Sequence, residues 1–409
     1  MKILYVLHSG MTGGSFFTTK DLMDNIGKNH EVYLLSAEDG SFRLYKHQRK
    51  DFKLIKEYPR NYQIQYSGEN SRKWSAGEFH NSWLTHIYFD VLLNLDIDLI
   101  HIMHLINHSF DLPQVAKKLD IPVILSIHDF YYLCPFYTLL DENLKYCGGK
   151  CGDNSKNCYL PMKSLSDINS KEFIGTWRKN VSEMFNNVDV FISTSHIIKD
   201  LFVSFYPNII NDKNFKIIEH GRDLKKIRRK LYEVPKENKP IKILCFANHL
   251  NEMKGSGVIR AIKAEDKDNK LEFHFLGNAY GLDDCGISHG RFKRQDLPKK
   301  VKLIRPSFVG IFSIWPESYC YALTESWICG IPILGSNIGV VEDRIKKNDG
   351  GWIIDIDDSK KTYDRILEIA RDEDEYLRVA KNVKEMSFKT TYEMAMEYKE
   401  IYESIIDKD

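Results

Sequence analysis

The sequence predicts an α/β protein built from two doubly wound parallel-sheet domains facing a cleft. Three observations carry this. Short unbroken apolar runs recur, as expected of parallel strands buried on both faces. Helix-period segments alternate with those runs. A polar stretch at 224–240, with Pro235 and Pro240 and no strand pattern, interrupts the rhythm before it starts again. The expected organisation is a first domain over 1–223, this linker, a second domain over 241–385, and a terminal helix over 386–409, with its return to the first domain left open.

Taken in order, Lys2–His8 is the first buried strand. A loop holding Gly13 and Gly14 follows, then a helix over Phe16–Ile26. Further strands are expected at Glu31–Ser36, Asp98–His104, Pro122–His128, Val188–Ser193 and Phe215–Glu219, with a helix through Pro113–Leu119. In the second half, Ile241–Ala247, Glu272–Gly277, Val309–Phe312 and Ile331–Gly335 read as strands, Val301–Ile304 as a short one, and Gly255–Ala264 as a helix. Lys389–Ile406 is the last helix, carrying Tyr392, Met396, Tyr398, Ile401 and Tyr402. Open parallel sheets bind ligands beyond the carboxyl ends of their strands. Polar candidates gather there: Gly13–Ser15, His128 and Asp129, Thr194 and Ser195, His220–Asp223, Asn248–Lys254, and Glu317.

The chain has 409 residues, 43% of them hydrophobic and 28% charged, enough for two globular domains of ordinary size. Its formal net charge of +1 supplies no field for nucleic acid. No stretch approaches the roughly 18 apolar residues of a membrane span. The N-terminal apolar run is too short for a signal peptide, so a cytoplasmic protein is expected. Its eight cysteines suit that compartment as reduced thiols. Half of them, Cys134, Cys147, Cys151 and Cys158, fall in one Gly/Asn-rich loop. Four thiolates there would form a structural zinc site; thiols without metal and disulfides are the alternatives, because the spacings are not those of a standard zinc ribbon. The basic runs Lys46–Lys50 and Lys225–Lys230 suit a solvated surface, or else anionic headgroups of the inner membrane leaflet or a lipid-diphosphate acceptor.

The segment from Ser313 to Pro332 is the most informative. Pro316 and Glu317 close a loop, a helix is expected to start at Ser318 or Tyr319, and Glu325 follows Glu317 by eight positions. The first amides of a helix suit a pyrophosphate. At ~1.5 Å per residue the two carboxylates would stand about 12 Å apart, near the span from a sugar to a ribose across a pyrophosphate. That arrangement fits an enzyme holding a nucleotide-sugar end to end; two water-facing glutamates on an amphipathic helix are the alternative.

These residues resemble the retaining glycosyltransferases of family four, with the two-domain GT-B fold. Glu317 and Glu325, separated by seven residues, match that family's signature, and Gly330-Ile-Pro332 and Gly335–Gly339 resemble its continuation. Phe246–Gly255, with Lys254, is similar to the phosphate-binding segment, Gly13-Gly14 to the glycine pair after the first strand, and Glu219–Asp223 to the Asn-Gly-Val-Asp element. His289–Pro298 is similar to bacterial members that assemble surface polysaccharides. The resemblance covers nearly the whole chain. It implies two Rossmann-like domains and transfer of a sugar from a nucleotide-sugar donor to a saccharide, lipid-linked or other glycan acceptor, with the anomeric configuration kept. It implies no bound magnesium, since Lys254 and the amides around Ser318, Tyr319, Cys320 and Tyr321 would stabilise the departing diphosphate.

By the same resemblance Glu317 would hold the sugar or the face of the forming oxocarbenium ion, and Glu325 would accept from ribose hydroxyls. A front-face mechanism is implied, with double displacement left open. His128 would contact the donor sugar near the reacting carbon, and Asp129 would orient it or act on the acceptor; His101 and His104 read as structural. Gly13 and Gly14 would let backbone approach a phosphate or the acceptor. The chain departs from the pattern at His249, where family members commonly carry arginine. A neutral imidazole brings less positive charge to the diphosphate, and a protonated His249 or Arg222 would make up the difference. Two other readings stay open: a non-catalytic GT-B protein that binds a glycan or partner, and a GT-B epimerase or phosphorylase.

Overall fold

The computed structural model describes residues 1–8, 10, 13–38, 41–59, 79–141, 143–151, 170–224 and 233–407. In chain order the elements are β1 (Lys2–Leu7), α1 (Gly13–Ile26), β2 (Glu31–Glu38), β3 (Ser41–Gln48), β4 (Asp51–Pro59), α2 (Ser82–Leu95), β5 (Leu99–Ile102), α3 (Asp111–Lys118), β6 (Val123–Ser126), α4 (Ser170–Phe185), β7 (Val190–Ser193), α5 (His196–Phe205) and β8 (Phe215–Ile217). There follow β9 (Ile241–Leu250), α6 (Ser256–Glu265), β10 (Leu271–Ala279), β11 (Gly286–Ser288), α7 (Leu297–Ile304), β12 (Phe308–Ile311), α8 (Tyr321–Ile328), β13 (Ile333–Ser336), α9 (Gly339–Asn348), β14 (Gly351–Ile354), α10 (Ser359–Arg371), α11 (Glu373–Glu385) and α12 (Thr391–Ile406). They form two units: Met1–Asn143, Cys147–Gly221 and Lys389–Asp409 make the first, and Leu144–Tyr146 with Arg222–Phe388 the second.

The first unit is built on a sheet of order β4-β3-β2-β1-β5-β6-β7-β8. From β2 to β8 every pairing is parallel, and β1 sits between β2 and β5, where the strand order reverses. The residues of β1 after Lys2 are buried, which explains its lack of alternation. An antiparallel hairpin, β3 and β4, extends the edge beyond β2. Its two-residue turn, Arg49-Lys50, has φ of 50° and 70°. Such turns favour Asn-Gly, and neither residue announces one. Lys46–Lys50 therefore reads in sequence as a basic run with no strand signal. Lys46 in fact lies 2.6 Å from Glu31 Oε2 across the sheet, and the buried His47 Nε2 lies 2.8 Å from Asp24 Oδ1. Lys225–Lys230 lie within 225–232, outside the described residues.

The terminal helix α12 belongs to the first unit. Met394, Ala395, Tyr398 and Tyr402 join the core of β1, β2 and α1. A capping box between Thr390 and Glu393 sets its start. Tyr402 Oη lies 2.7 Å from His101 Nδ1 and 3.2 Å from Tyr5 Oη, and His101 Nε2 lies 2.8 Å from Ser126 Oγ. Burial holds the His101 imidazole neutral, well below its usual pKa, so this chain of polar groups is uncharged.

The second unit has an all-parallel sheet of order β11-β10-β9-β12-β13-β14, with the reversal between β9 and β12. Its core gathers apolar side chains of both faces around Trp327, Trp352 and Tyr376. The expected strand at Val301–Ile304 is instead the end of helix α7. Leu297, Val301 and Ile304 are its buried residues, and their spacing is helical, with Pro298 in the first turn, where a missing N–H does no harm. Among the described residues no helix is long and apolar enough to cross a membrane.

Candidate functional site

The two segments singled out in the second half emerge side by side at the reversal point of the second sheet. One follows β9 and the other β12, the location where doubly wound sheets bind ligands. After β9, a 3-10 turn over Glu252–Lys254 is capped by Asn251, whose Oδ1 accepts from Lys254 N at 3.2 Å. Gly255 then takes φ 86°. A Cβ there would meet Phe312 O at 2.0 Å, so only glycine lets this turn lie against the end of β12. Ile314 N donates to Met253 O at 3.1 Å and ties the segments together. As a result Lys254 Nζ stands 2.5 Å from Glu317 Oε1, and Ser313 Oγ donates to the same oxygen at 2.6 Å. Lys254 also lies 5.1 Å from the centre of the Trp315 ring. Glu317 is 5% exposed, a buried carboxylate with a cation beside it.

The loop entering α8 is not helical, which corrects the sequence expectation. Glu317 has φ 45° and Cys320 φ 61°, both in the left-handed region, and the helix begins at Tyr321 rather than at Ser318 or Tyr319. The rise-per-residue separation of the glutamates therefore does not apply. Gly339, at φ 57°, packs against Pro316, and Val340 N donates to Pro316 O at 3.0 Å, fixing the loop from the α9 side. Arg344 Nη1 donates to Tyr319 O at 2.7 Å and Nη2 to Thr324 Oγ1 at 2.8 Å. Arg344 carried no signal in the sequence, since α9 reads as an ordinary charged helix. Burial pushes the Cys320 thiol up to about 12, with the Glu317 charge adding to it, so it stays a protonated, unreactive packing group.

Glu325 lies one turn after Tyr321 on the same face of α8. Its Oε1 accepts from Arg222 Nε at 2.9 Å and from Arg294 Nε at 3.1 Å. Both guanidiniums lie over the Tyr321 ring, Arg222 at 3.6 Å and Arg294 at 5.6 Å from its centre. Arg294 lies in the 289–298 segment but carries no signal of this role in the sequence, because a pairing across 31 residues leaves no local pattern. His249 is on the exposed end of β9, stacked on Tyr280 with Nδ1 2.9 Å from the phenol oxygen.

In the first unit, Gly13 opens α1 at φ 87°, and Gly14 O accepts from Thr18 Oγ1 at 3.2 Å inside that helix. Past β6, His128 stacks on His220 at 5.6 Å, and its Nε2 is buried with no hydrogen-bond partner among the described residues. Burial, and then the neighbouring His104, push its pKa down to about 4 against the opposing charge of Asp129, so the ring is neutral near pH 7. Asp129 orients His104 rather than His128. Ile106 N donates to His104 Nδ1 at 3.0 Å, which leaves the proton on Nε2, 3.1 Å from Asp129 Oδ2. Of the clustered cysteines, Cys134 is buried, Cys147 and Cys151 are half-buried, and Cys158 lies outside the described residues. Among the described residues no three His, Cys, Asp or Glu side chains gather as a metal centre would need.

The model of Glycosyltransferase Family 4 matches residues 12–226, and that of Glycosyl transferases group 1 matches residues 227–386. A curated relative, N-acetyl-alpha-D-glucosaminyl L-malate synthase of Bacillus anthracis, is 22% identical over 95 residues. The match takes in 23% of this chain and only 25% of the relative's length. Two solved structures share the fold. HepE of Anabaena, in complex with UDP and glucose, superposes with a TM-score of 0.64 at 14% identity, over 99% of this chain and 100% of its own. Sucrose-phosphate synthase from Thermosynechococcus elongatus gives a TM-score of 0.65 at 13% identity, over 100% of both chains. The architecture is GT-B, two parallel-sheet α/β domains.

Proposed function

The chain belongs to glycosyltransferase family 4, whose model spans more than half of it, and from that premise we propose that this glycosyltransferase takes its sugar from a nucleotide-sugar and keeps the anomeric configuration. The acceptor hydroxyl belongs to a growing polysaccharide or glycoconjugate. The observation that carries the reading is the Lys254–Glu317 pair at the reversal of the second sheet. Departure of a nucleoside diphosphate concentrates negative charge on its β-phosphate. A lysine held beside that position, with the first amides of α8, lowers the barrier by preorganised electrostatics and without a metal ion. Glu317, held on Lys254 and Ser313, faces the other way in chemical terms: its carboxylate suits sugar hydroxyls and the cationic character of the reacting carbon.

The first unit carries polar groups of its own that suit hydroxyls. His128 is neutral and has a buried nitrogen to offer a hydroxyl. Asp129, paired with His104 Nε2, suits a hydrogen bond from an acceptor hydroxyl. The backbone at Gly13 suits close approach of substrate. Retention follows from front-face attack, in which the departing phosphate takes the acceptor proton. We place the reaction in the cytoplasm, where eight cysteines stay reduced.

The test is slow donor hydrolysis. Incubated with a panel of UDP-, ADP- and GDP-sugars, the protein should release the nucleoside diphosphate of its own donor. Lys254→Ala and Glu317→Ala should each lower that release by roughly 100-fold or more. Release that is absent for every donor, or unchanged in both variants, refutes the reading and favours a glycan-binding protein of the same fold. Proton NMR of the first sugar product decides retention against inversion.

A further inference from the structure

The far ends of β9 and β10 carry a polar set that the Lys254–Glu317 pair does not use. These strands have ten and nine residues, against four in β12 and in β13. Gly277, at φ 110°, breaks the ladder between them: a Cβ there would run into Ala247 O, and the register shifts so that Asn278 stands beside His249. Gly277 N also donates to Gly290 O at 2.8 Å, which holds the chain after β11 against β10. Arg291 follows, and its Nε donates to Asn278 Oδ1 at 3.2 Å. That contact turns the amide nitrogen of Asn278 towards His249 Nδ1, 3.5 Å away, and Tyr280 Oη lies 2.9 Å from the same Nδ1. A ring nitrogen facing an amide donor keeps its lone pair, so the hydrogen of His249 sits on Nε2.

The nitrogens this set turns outward are therefore donors: Nε2 of His249 and the two Nη groups of the exposed Arg291, which has no other partner among the described residues. Beside them Tyr280, 51% exposed, offers a flat ring parallel to that of His249 within 11° and offset from it. An open aromatic face next to a fork of donors fits a flat ring with acceptors on its edge. The set shares its segments with the groups around the donor. His249 stands five positions before Lys254, and Arg291 three before Arg294, which pairs with Glu325. Resting on the nucleotide-sugar reading above, we infer that Arg291, Asn278, His249 and Tyr280 form the nucleobase subsite, and that it selects a base with a carbonyl edge, uracil or guanine. Tyr280 stacks on the base, Arg291 donates to its carbonyl, and Asn278 is a positioning residue for Arg291 and His249. Cytosine and adenine present an amino group there, which sets donor against donor and leaves both unpaired.

The experiment is calorimetric titration of the full chain with UDP, CDP, GDP and ADP, a carbonyl base and an amino base in each ring size. One carbonyl base should bind roughly 10-fold or more tightly than the amino base of its ring size. Arg291→Met should bring that ratio below threefold, chiefly by weakening the carbonyl base. Tyr280→Ala should weaken both members of the pair by a similar factor, roughly 10-fold, and Tyr280→Phe, which keeps the ring, by less than threefold. A wild-type preference for CDP or ADP, or no preference, overturns the inference while the donor reading stands. The same holds if Arg291→Met weakens both members equally, as a phosphate contact or a structural role would, or if Arg291→Met or Tyr280→Ala binds as the wild type does. Wild-type protein that binds none of the four diphosphates overturns both.

Discussion

Glu317 occupies the left-handed region at φ 45°, and Cys320, three residues on, does the same at φ 61°. Each such residue costs about 1–3 kcal/mol, and such strain persists where the surroundings over-determine it. Here the surroundings are named: Ser313 and Lys254 hold the Glu317 carboxylate, and Arg344 holds the Tyr319 carbonyl. His128 makes a separate prediction at this scale. Its folded pKa of about 4 lies below the free value near 6.5, so the unfolded chain binds the proton first. The stabilisation is present above pH 6.5 and is lost as pH falls towards 4. At about 1.4 kcal/mol per pKa unit the full effect is up to about 3 kcal/mol. Urea midpoints measured from pH 7.5 to 4 should fall through that window, and His128→Gln should fall less. Equal slopes for the two proteins would remove His128 as the cause.

Among the elements, the β3–β4 hairpin illustrates what a local pattern hides. Gln48 pairs with Asp51, so Arg49 and Lys50 form a two-residue loop with both φ values positive. Replacing them with Asn-Gly supplies the residues that this turn prefers. The double variant should stabilise the first unit by about 1 kcal/mol, which is a rise of roughly 2–4 °C in its melting temperature. A drop would show that the two basic side chains contribute more than the turn strain removes. The buried strands were legible because parallel strands read as continuous apolar runs, and β1 and β9 match their expected starts. The hairpin was not legible, because the outer strand is mostly exposed and its turn lacks glycine. The segment at Val301–Ile304 was misread because three apolar positions in four mimic a strand; the fuller spacing from Leu297 onward is the helical one.

At the level of the whole molecule, the last residues of the chain complete the first unit. Tyr398 and Tyr402 are fully buried in its core, and Tyr402 satisfies His101. Removing residues 389–409 should unfold the first unit, seen as loss of hydrogen-exchange protection on β1 and β5. Tyr402→Phe keeps the packing but deprives His101 Nδ1 of its partner, with a loss of about 1–3 kcal/mol. A stable, protected first unit after the truncation would show that α12 is an accessory. Much of the candidate site was readable: Lys254, Glu317 and Glu325 stand in short motifs whose chemistry is apparent from residue type and spacing. Strand and helix follow from contacts between near neighbours, which the chain carries in its own period of two or 3.6 residues. The partners of those motif residues are another matter. Lys254 and Glu317 are 63 positions apart, and Arg222 and Glu325 are 103 apart. The Lys254–Glu317 pair exists only once the sheet places β9 beside β12 and the loop takes its left-handed turns, so there the order of strands, not the order of residues, chose which charges meet.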